Sequence, residues 1–225
     1  MEFINELFKS ITDPSFLPTF IKNIGYFGLI AIVFAETGLL AGFFLPGDSL
    51  LISAGLLAAT PITNDSPETY MSIVLLNACL IPAAIIGDQV GYFIGHKSGP
   101  MLFKKEQSLF FRKDYLIKTH DFYEKHGGKT LILAKFIPII RTFAPTVAGV
   151  ARMKYLNFVK FNVFGGLFWV LSMTLTGYLL GNVIPDIHKH IEKVIVIVVF
   201  LSISPAIYKF IHSKLKARKK KQESV

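Results

Sequence analysis

Four ionisable residues stand inside stretches that are otherwise apolar. They are Glu36 in "IVFAETGLLAG", Asp48 in "FFLPGDSLLIS", and Lys135 and Arg141 in "AKFIPIIRTFAPTVAG". A charge at the centre of a bilayer costs roughly 2.5–3.5 kcal/mol on insertion scales, so such residues pair, face a water-filled cavity or meet a ligand. Arg141 is a permanently charged fork of donors suited to a phosphate or carboxylate, and Lys135 adds a second positive charge. Glu36 and Asp48 are groups able to take up protons. Pro138 and Pro145 break the same segment, and broken helix ends offer free backbone N–H groups to an anion. The combination reads as a proton-linked site for an anionic headgroup, and the spacing alone names no substrate. The plainer reading is that Glu36 or Asp48 simply neutralises Arg141 or Lys135, an arrangement whose disruption is costly even without another role. Asp88 in "IIGDQVGYFIG" is a possible accessory; a salt bridge and an interfacial position fit it equally. Trp169 falls in the middle of an apolar run and reads as packing.

The elements that hold these residues are membrane elements. The chain has 225 residues, 52% hydrophobic and 17% charged, with mean hydropathy +0.51. Soluble domains carry about a quarter charged residues. Residues 72–86 and 161–181 contain no charge at all, and about 20 apolar residues suffice to cross the hydrocarbon. The N-terminus lacks the basic start and apolar run of a cleavable signal. Phe3, Ile4, Leu7, Phe8 and Ile11 recur at helical spacing and predict a short interfacial helix. The single cysteine, Cys79, lies in an apolar run and reads as packing.

The net charge of +9 does not indicate nucleic acid. Seven of the 24 Lys/Arg fall in Lys209–Lys221 and eight in Lys97–Lys129, both beside apolar spans. That is the positive-inside pattern, with possible contact to anionic lipid. The linker 60–71 has two acids and no Lys or Arg, so it is expected outside. A span over about 72–95 then runs inward, and the basic segment 96–129 lies in the cytoplasm with an amphipathic surface helix. The span 157–181 runs outward, residues 194–211 return inward, and the polybasic tail is cytoplasmic. This accounting closes only if 130–150 enters and leaves on the cytoplasmic side, as a re-entrant hairpin. Residues 24–58 are too long for one span, and they are read as either two spans or a hairpin broken at "LPGD", with the hairpin entering from outside preferred.

A weak internal repeat favours the hairpins. "GYFIG" ends one span at 91–95 and "GYLLG" ends the other at 177–181, with Asn77 and Asn162 respectively 14 and 15 residues upstream. Each half reads as interfacial helix, hairpin, then span. Opposed span directions make the repeat an inverted one, a plan common among transporters. The expected architecture is therefore all-α and polytopic. It has an interfacial helix over 1–22 and a membrane domain over 23–182, with hairpins near 24–58 and 130–150. A C-terminal transmembrane helix over 183–212 and a basic tail over 213–225 follow.

Several motifs lead elsewhere. "HGGKT" at 126–130 ends like a phosphate loop but has Tyr123 where the first glycine belongs. "HKH" at 188–190 sits in an expected outer turn, and no metal set is read from it. No G-x-S-x-G elbow occurs. Membrane lipid phosphatases want a Lys and an Arg-Pro with six residues between. Here Lys135 and Arg141 have five between them, Thr142 follows, and Ile94-Gly95-His96 replaces Ser-Gly-His. The chain is not expected to be an enzyme or to carry a cofactor.

"FAETGLLAGFFLPGDSLL" (34–51), "GDQVGYFIG" (87–95) and "KFIPIIRTFAPTVAGVARM" (135–153) together resemble the DedA family of bacterial membrane proteins, also called SNARE-associated or VTT-domain proteins. The resemblance covers roughly residues 20–182. It implies two opposed re-entrant hairpins and an inner-membrane lipid transporter that moves undecaprenyl phosphate with a link to the proton-motive force. It also implies functional acids at Glu36 and Asp48 and functional bases at Lys135 and Arg141. The first basic position is often Arg in relatives; Lys135 keeps the charge and lacks the fork. A proton-coupled small-solute or ion transporter is the alternative, and a non-transporting envelope scaffold a third.

Overall fold

The structure is a computed structural model that describes residues 17–40, 45, 47–59, 71–102 and 128–183. Most of the expected N-terminal interfacial helix, the outer linker, the amphipathic surface helix, the C-terminal span and the basic tail lie outside these residues. The described residues form six helices and no strand: α1 (Leu17–Gly38), α2 (Gly47–Ala58), α3 (Ile73–Leu102), α4 (Lys129–Ala134), α5 (Pro138–Val150) and α6 (Tyr155–Val183).

Three of them contain apolar stretches long enough to cross a membrane: Thr19–Gly38, Ile73–Gly99 and Tyr155–Val183. At about 1.5 Å per residue, α3 and α6 exceed the roughly 30 Å hydrocarbon core with a turn or more to spare. Phe27, Val74, Leu156 and Leu179 point outward, as expected where lipid rather than water is the solvent. Helix α2 has 12 residues, too few to cross alone.

Sequence dictates where helices bend and stop. Helix α1 kinks at Gly25, whose φ of 57° is a conformation that costs other residues far more. The kink lies just past the expected end of the N-terminal helix at residue 22. Helix α2 starts at Gly47, immediately after Pro46, and carries Asp48 in its first turn, where an acid suits the helix dipole. Between α4 and α5, Lys135, Phe136 and Ile137 donate tight-turn bonds to Ile132, Leu133 and Ala134. Ile137 is extended, as a residue before proline prefers, and Pro138 opens α5.

Pro145 departs from expectation. It lies inside α5 and does not break it. Its ring removes only the bond that residue 145 would donate to the Arg141 carbonyl. Packing on α3 holds the helix through this gap, and a Cβ at Gly91 would come within 3.4 Å of the Pro145 ring. There is consequently no helix end at Pro145 to present free N–H groups. Helix α5 ends instead at Val150 with Ala151 as its cap, and Arg152 just beyond adopts φ 54° while Arg152 and Met153 donate to the carbonyls of Gly149 and Ala148. This closing motif usually employs glycine.

The packing is reciprocal. Helix α2 lies along α6 and α5 along α3, while α1 packs on α3 and α4 on α6. Glycines let backbones touch at both crossings. A side chain at Gly55 would strike the Thr174 backbone, and one at Gly177 the Ile52 carbonyl. At the other crossing Gly95 faces the Thr146 backbone and Gly149 faces Tyr92 and His96. Helices in lipid gain stability from such close approach, since apolar burial drives little there. The first crossing adjoins a cluster built on Phe20, Leu29, Leu50, Leu76 and Val170, and the second adjoins one built on Tyr92, Leu131, Ala148 and Phe158. Tyr92 also donates from its hydroxyl to the Met153 carbonyl at 2.6 Å.

Gly149→Val should therefore destabilise the protein by about 1–3 kcal/mol or more, the scale of an overpacked contact. Thermal unfolding in detergent checks this; an unchanged melting point would mean that the crossing yields easily.

Candidate functional site

The first turns of α2 and α5 meet in the fold, where Asp48 pairs with Arg141. The turn after α4 carries Lys135, and Arg141 sits one turn into α5. Glu36 is at the end of α1 and Asp48 at the start of α2. These positions bring the four charges together inside the protein. Arg141 is 5% exposed, Glu36 1% and Lys135 4%.

The guanidinium of Arg141 is shared. One terminal nitrogen donates to Asp48 Oδ1 and the other to Glu36 Oε1. Lys135 has a different partner: its ammonium donates to Oδ2 of Asp88, a residue of α3 with no exposed surface. Both carboxylate contacts of Arg141 and that of Lys135 are ion pairs. Beneath them lies Trp169 of α6, fully buried. Its indole nitrogen donates to Asp48 Oδ1 at 2.9 Å, and the Arg141 guanidinium carbon and Lys135 Nζ stand 4.6 Å and 5.7 Å from its ring centroid.

Small residues permit this convergence. A side chain at Gly47 would occupy the place of the Glu36 carboxylate, and one at Gly38 would come within 2.8 Å of the Gly87 carbonyl. Glycine at 38 and 87 thus seats the end of α1 against α3, beside Asp88. Hydrogen bonds tie α3 to α6 on either side: Thr174 donates to Asn77 Oδ1 at 2.8 Å, and Asn162 donates to the Ile85 carbonyl at 3.1 Å.

The network is incompletely satisfied. Among the described residues, Glu36 Oε2, Asp88 Oδ1, Gln89 Oε1 and Arg141 Nε are buried with no hydrogen-bond partner. Next to the cations is a cavity of about 10 Å³, lined by Leu131, Lys135, Arg141, Ala144, Pro145, Phe158 and Asn162. That is room for a single water-sized occupant.

All four residues singled out in the sequence thus meet, and both readings of Asp88 are resolved in favour of a salt bridge, a fully buried one with Lys135. Trp169 is the participant that sequence reasoning assigned to packing. The available signal was its indole N–H, which seeks a partner when buried; no apolar neighbour in "GGLFWVLSM" supplies one.

A buried array of opposed charges between helices of span length defines a polytopic membrane protein with an internal ionic site. The particular family follows from comparison with known proteins: the VTT domain matches residues 45–179, and the chain belongs to this family, that of the DedA membrane proteins. Protein DedA of Escherichia coli K12 is 49% identical over 186 residues, 83% of this chain and 82% of that one. A membrane protein of Mycobacterium tuberculosis H37Rv is 47% identical over 180 residues, 80% of this chain and 76% of that one. Inner membrane protein YqjA of Escherichia coli K12 is 35% identical over 175 residues, 78% and 74% of the two chains. No solved structure matches.

Arg141→Met should leave Glu36 and Asp48 without their shared cation and cost about 3–5 kcal/mol, the usual penalty for breaking a buried pair. Adding Glu36→Gln and Asp48→Asn should recover much of the loss. Unfolding in detergent compares the three proteins, and equal stability of Arg141→Met and wild type would show that the pairs are not structural.

Proposed function

We propose that the chain is a transporter that moves undecaprenyl phosphate, or a similar phosphate-headed lipid, across the bacterial inner membrane in a proton-linked cycle. The observation that carries this reading is the buried Arg141 fork, held by two acids of the other half of the chain and flanked by Lys135. In the cycle, phosphate oxygens take the places of the carboxylates on Arg141 and Lys135, and Glu36 and Asp48 take up protons as they let go. The lipid tail stays in the bilayer, so only the headgroup needs a polar path. Asp88 serves as the resting partner of Lys135. The chemistry is binding and movement, with no bond made or broken.

Charge balance supports the proton link. Glu36, Asp48 and Asp88 exceed Lys135 and Arg141 by one negative charge when all are ionised. A net charge buried in a membrane is expensive, so one carboxylate holds a proton at rest. A singly charged headgroup then brings one further proton into the site.

The architecture proposed with this function is an inverted repeat, α1–α2–α3 followed by α4–α5–α6, with re-entrant hairpins at the breaks. Its support is the reciprocal packing: the second limb of each half lies on the long helix of the other, with glycines at both crossings. Transporters of this plan bind at the repeat interface near the midplane. The basic tail faces the cytoplasm in this arrangement.

One observation favours a second reading. The cavity of about 10 Å³ beside the cations suits a small ion or solute better than a phosphate group, as in a proton-coupled small-solute transporter.

Liposomes holding the purified protein separate the two. Wild type should move undecaprenyl phosphate between leaflets, faster with a proton gradient, while folded Arg141→Ala and Glu36→Gln should lose at least tenfold in rate. Absence of movement with and without a gradient would overturn the lipid reading.

A further inference from the structure

The single tryptophan of the chain sits at the centre of the site in a way that bulk alone does not require. Its N–H is directed at Asp48 Oδ1, at 2.9 Å, the same oxygen that accepts from Arg141. Its ring face carries both cations, Arg141 at 4.6 Å and Lys135 at 5.7 Å. One turn earlier on the same side of α6, Gly165 leaves room for the Lys135 stem: a Cβ there would come within 3.3 Å of Lys135 Cγ. Helix α6 therefore shapes a seat for both cations while contributing no charge to the site. The charged groups around this seat come from every other part of it: Glu36 of α1, Asp48 of α2, Asp88 of α3, Lys135 of the turn before α5, and Arg141 of α5.

We propose that Trp169 is a positioning residue that fixes Asp48 through its indole N–H and seats Arg141 and Lys135 on its ring face, so that both cations keep their places when a ligand oxygen replaces a carboxylate. The ligand part of this statement rests on the headgroup reading above. The physical basis is that an aromatic face attracts a cation without competing for its N–H donors. A carboxylate that lost Arg141 would have no donor left in its place unless another were already bound, and the indole supplies that donor. With Asp48 anchored and the cations seated, exchange of partners leaves the positions of both halves unchanged.

The test uses the full chain in neutral detergent and in liposomes. With one tryptophan present, 15N-labelled protein gives one indole N–H signal. That signal should shift in Asp48→Asn and remain in place in Phe27→Leu, which alters an outward-facing residue of α1. An indole signal indifferent to Asp48→Asn would overturn the proposal. In the transport assay with undecaprenyl phosphate, Trp169→Phe retains a ring face and Trp169→Leu does not. The half-saturating lipid level should rise about threefold in the first and tenfold or more in the second, with a smaller change in maximal rate. Wild-type half-saturation in folded Trp169→Leu would equally overturn it; should that protein not fold, Trp169→Phe decides by the same measure. If wild type moves no lipid, the headgroup reading falls, and the indole signal still decides whether Trp169 holds Asp48.

Discussion

The guanidinium of Arg141 is the group on which the arrangement turns. It is nearly removed from solvent, and its two terminal nitrogens are taken by acids from two different helices, Asp48 of α2 and Glu36 of α1. A charge so placed is tolerable only if its partners are delivered accurately, because the desolvation cost is fixed while the attraction depends on geometry. The other features of the site follow from that demand. The start of α2 brings Asp48 to one terminal nitrogen, the end of α1 brings Glu36 to the other, and the first turn of α5 carries Arg141 to both. Lys135 repeats the solution on a smaller scale with Asp88 of α3.

Delivering three acids and two bases to one place requires backbones to approach more closely than ordinary side chains allow. Glycine supplies that approach at three places in the site: Gly38 with Gly87 where α1 meets α3, Gly47 under the Glu36 carboxylate, and Gly165 beside Lys135. The two long crossings, Gly55 with Gly177 and Gly95 with Gly149, extend the pattern outward. In lipid this mode of packing replaces the apolar burial that stabilises a soluble core. The site and the fold therefore share one device, and a substitution at a crossing reaches the ion pairs through the helices that carry them.

Much of this was legible in the sequence, for a definite reason. A charge in an apolar run is conspicuous because its insertion cost is large and local, so Glu36, Asp48, Lys135 and Arg141 could be singled out individually. Long uncharged runs likewise located α3 and α6. What could not be read was set by partners distant in the chain. Pairing of Lys135 with Asp88 rather than with Glu36 or Asp48 depends on how α3 approaches the turn before α5. Pro145 looked like a break because the local rule for proline takes no account of α3 supporting the helix. Trp169 looked like packing because its one polar atom finds its partner 121 residues away in sequence. Local costs are written in the sequence, whereas their relief depends on tertiary contacts.

The ion pairs also bear on a problem any carrier of an anionic headgroup must solve. A site rich enough in positive charge to bind phosphate inside a membrane is itself unstable when empty. Under the proposed function Glu36, Asp48 and Asp88, which pair with the two cations, resolve this as internal substitutes for the headgroup, each presenting carboxylate oxygens in place of phosphate oxygens. Under the proposed cycle the empty protein is thus neutralised from within, by its acids and the one proton they hold at rest, and a further proton enters when the ligand displaces a carboxylate. The coupling of lipid to proton then needs no separate device, since the headgroup takes the bases and the proton goes to the acid that it displaces. Glu36 Oε2, Asp88 Oδ1 and Arg141 Nε, without a hydrogen-bond partner among the described residues, mark where the proposed substitution is least complete, and they are the atoms with most to gain from an incoming oxygen or proton.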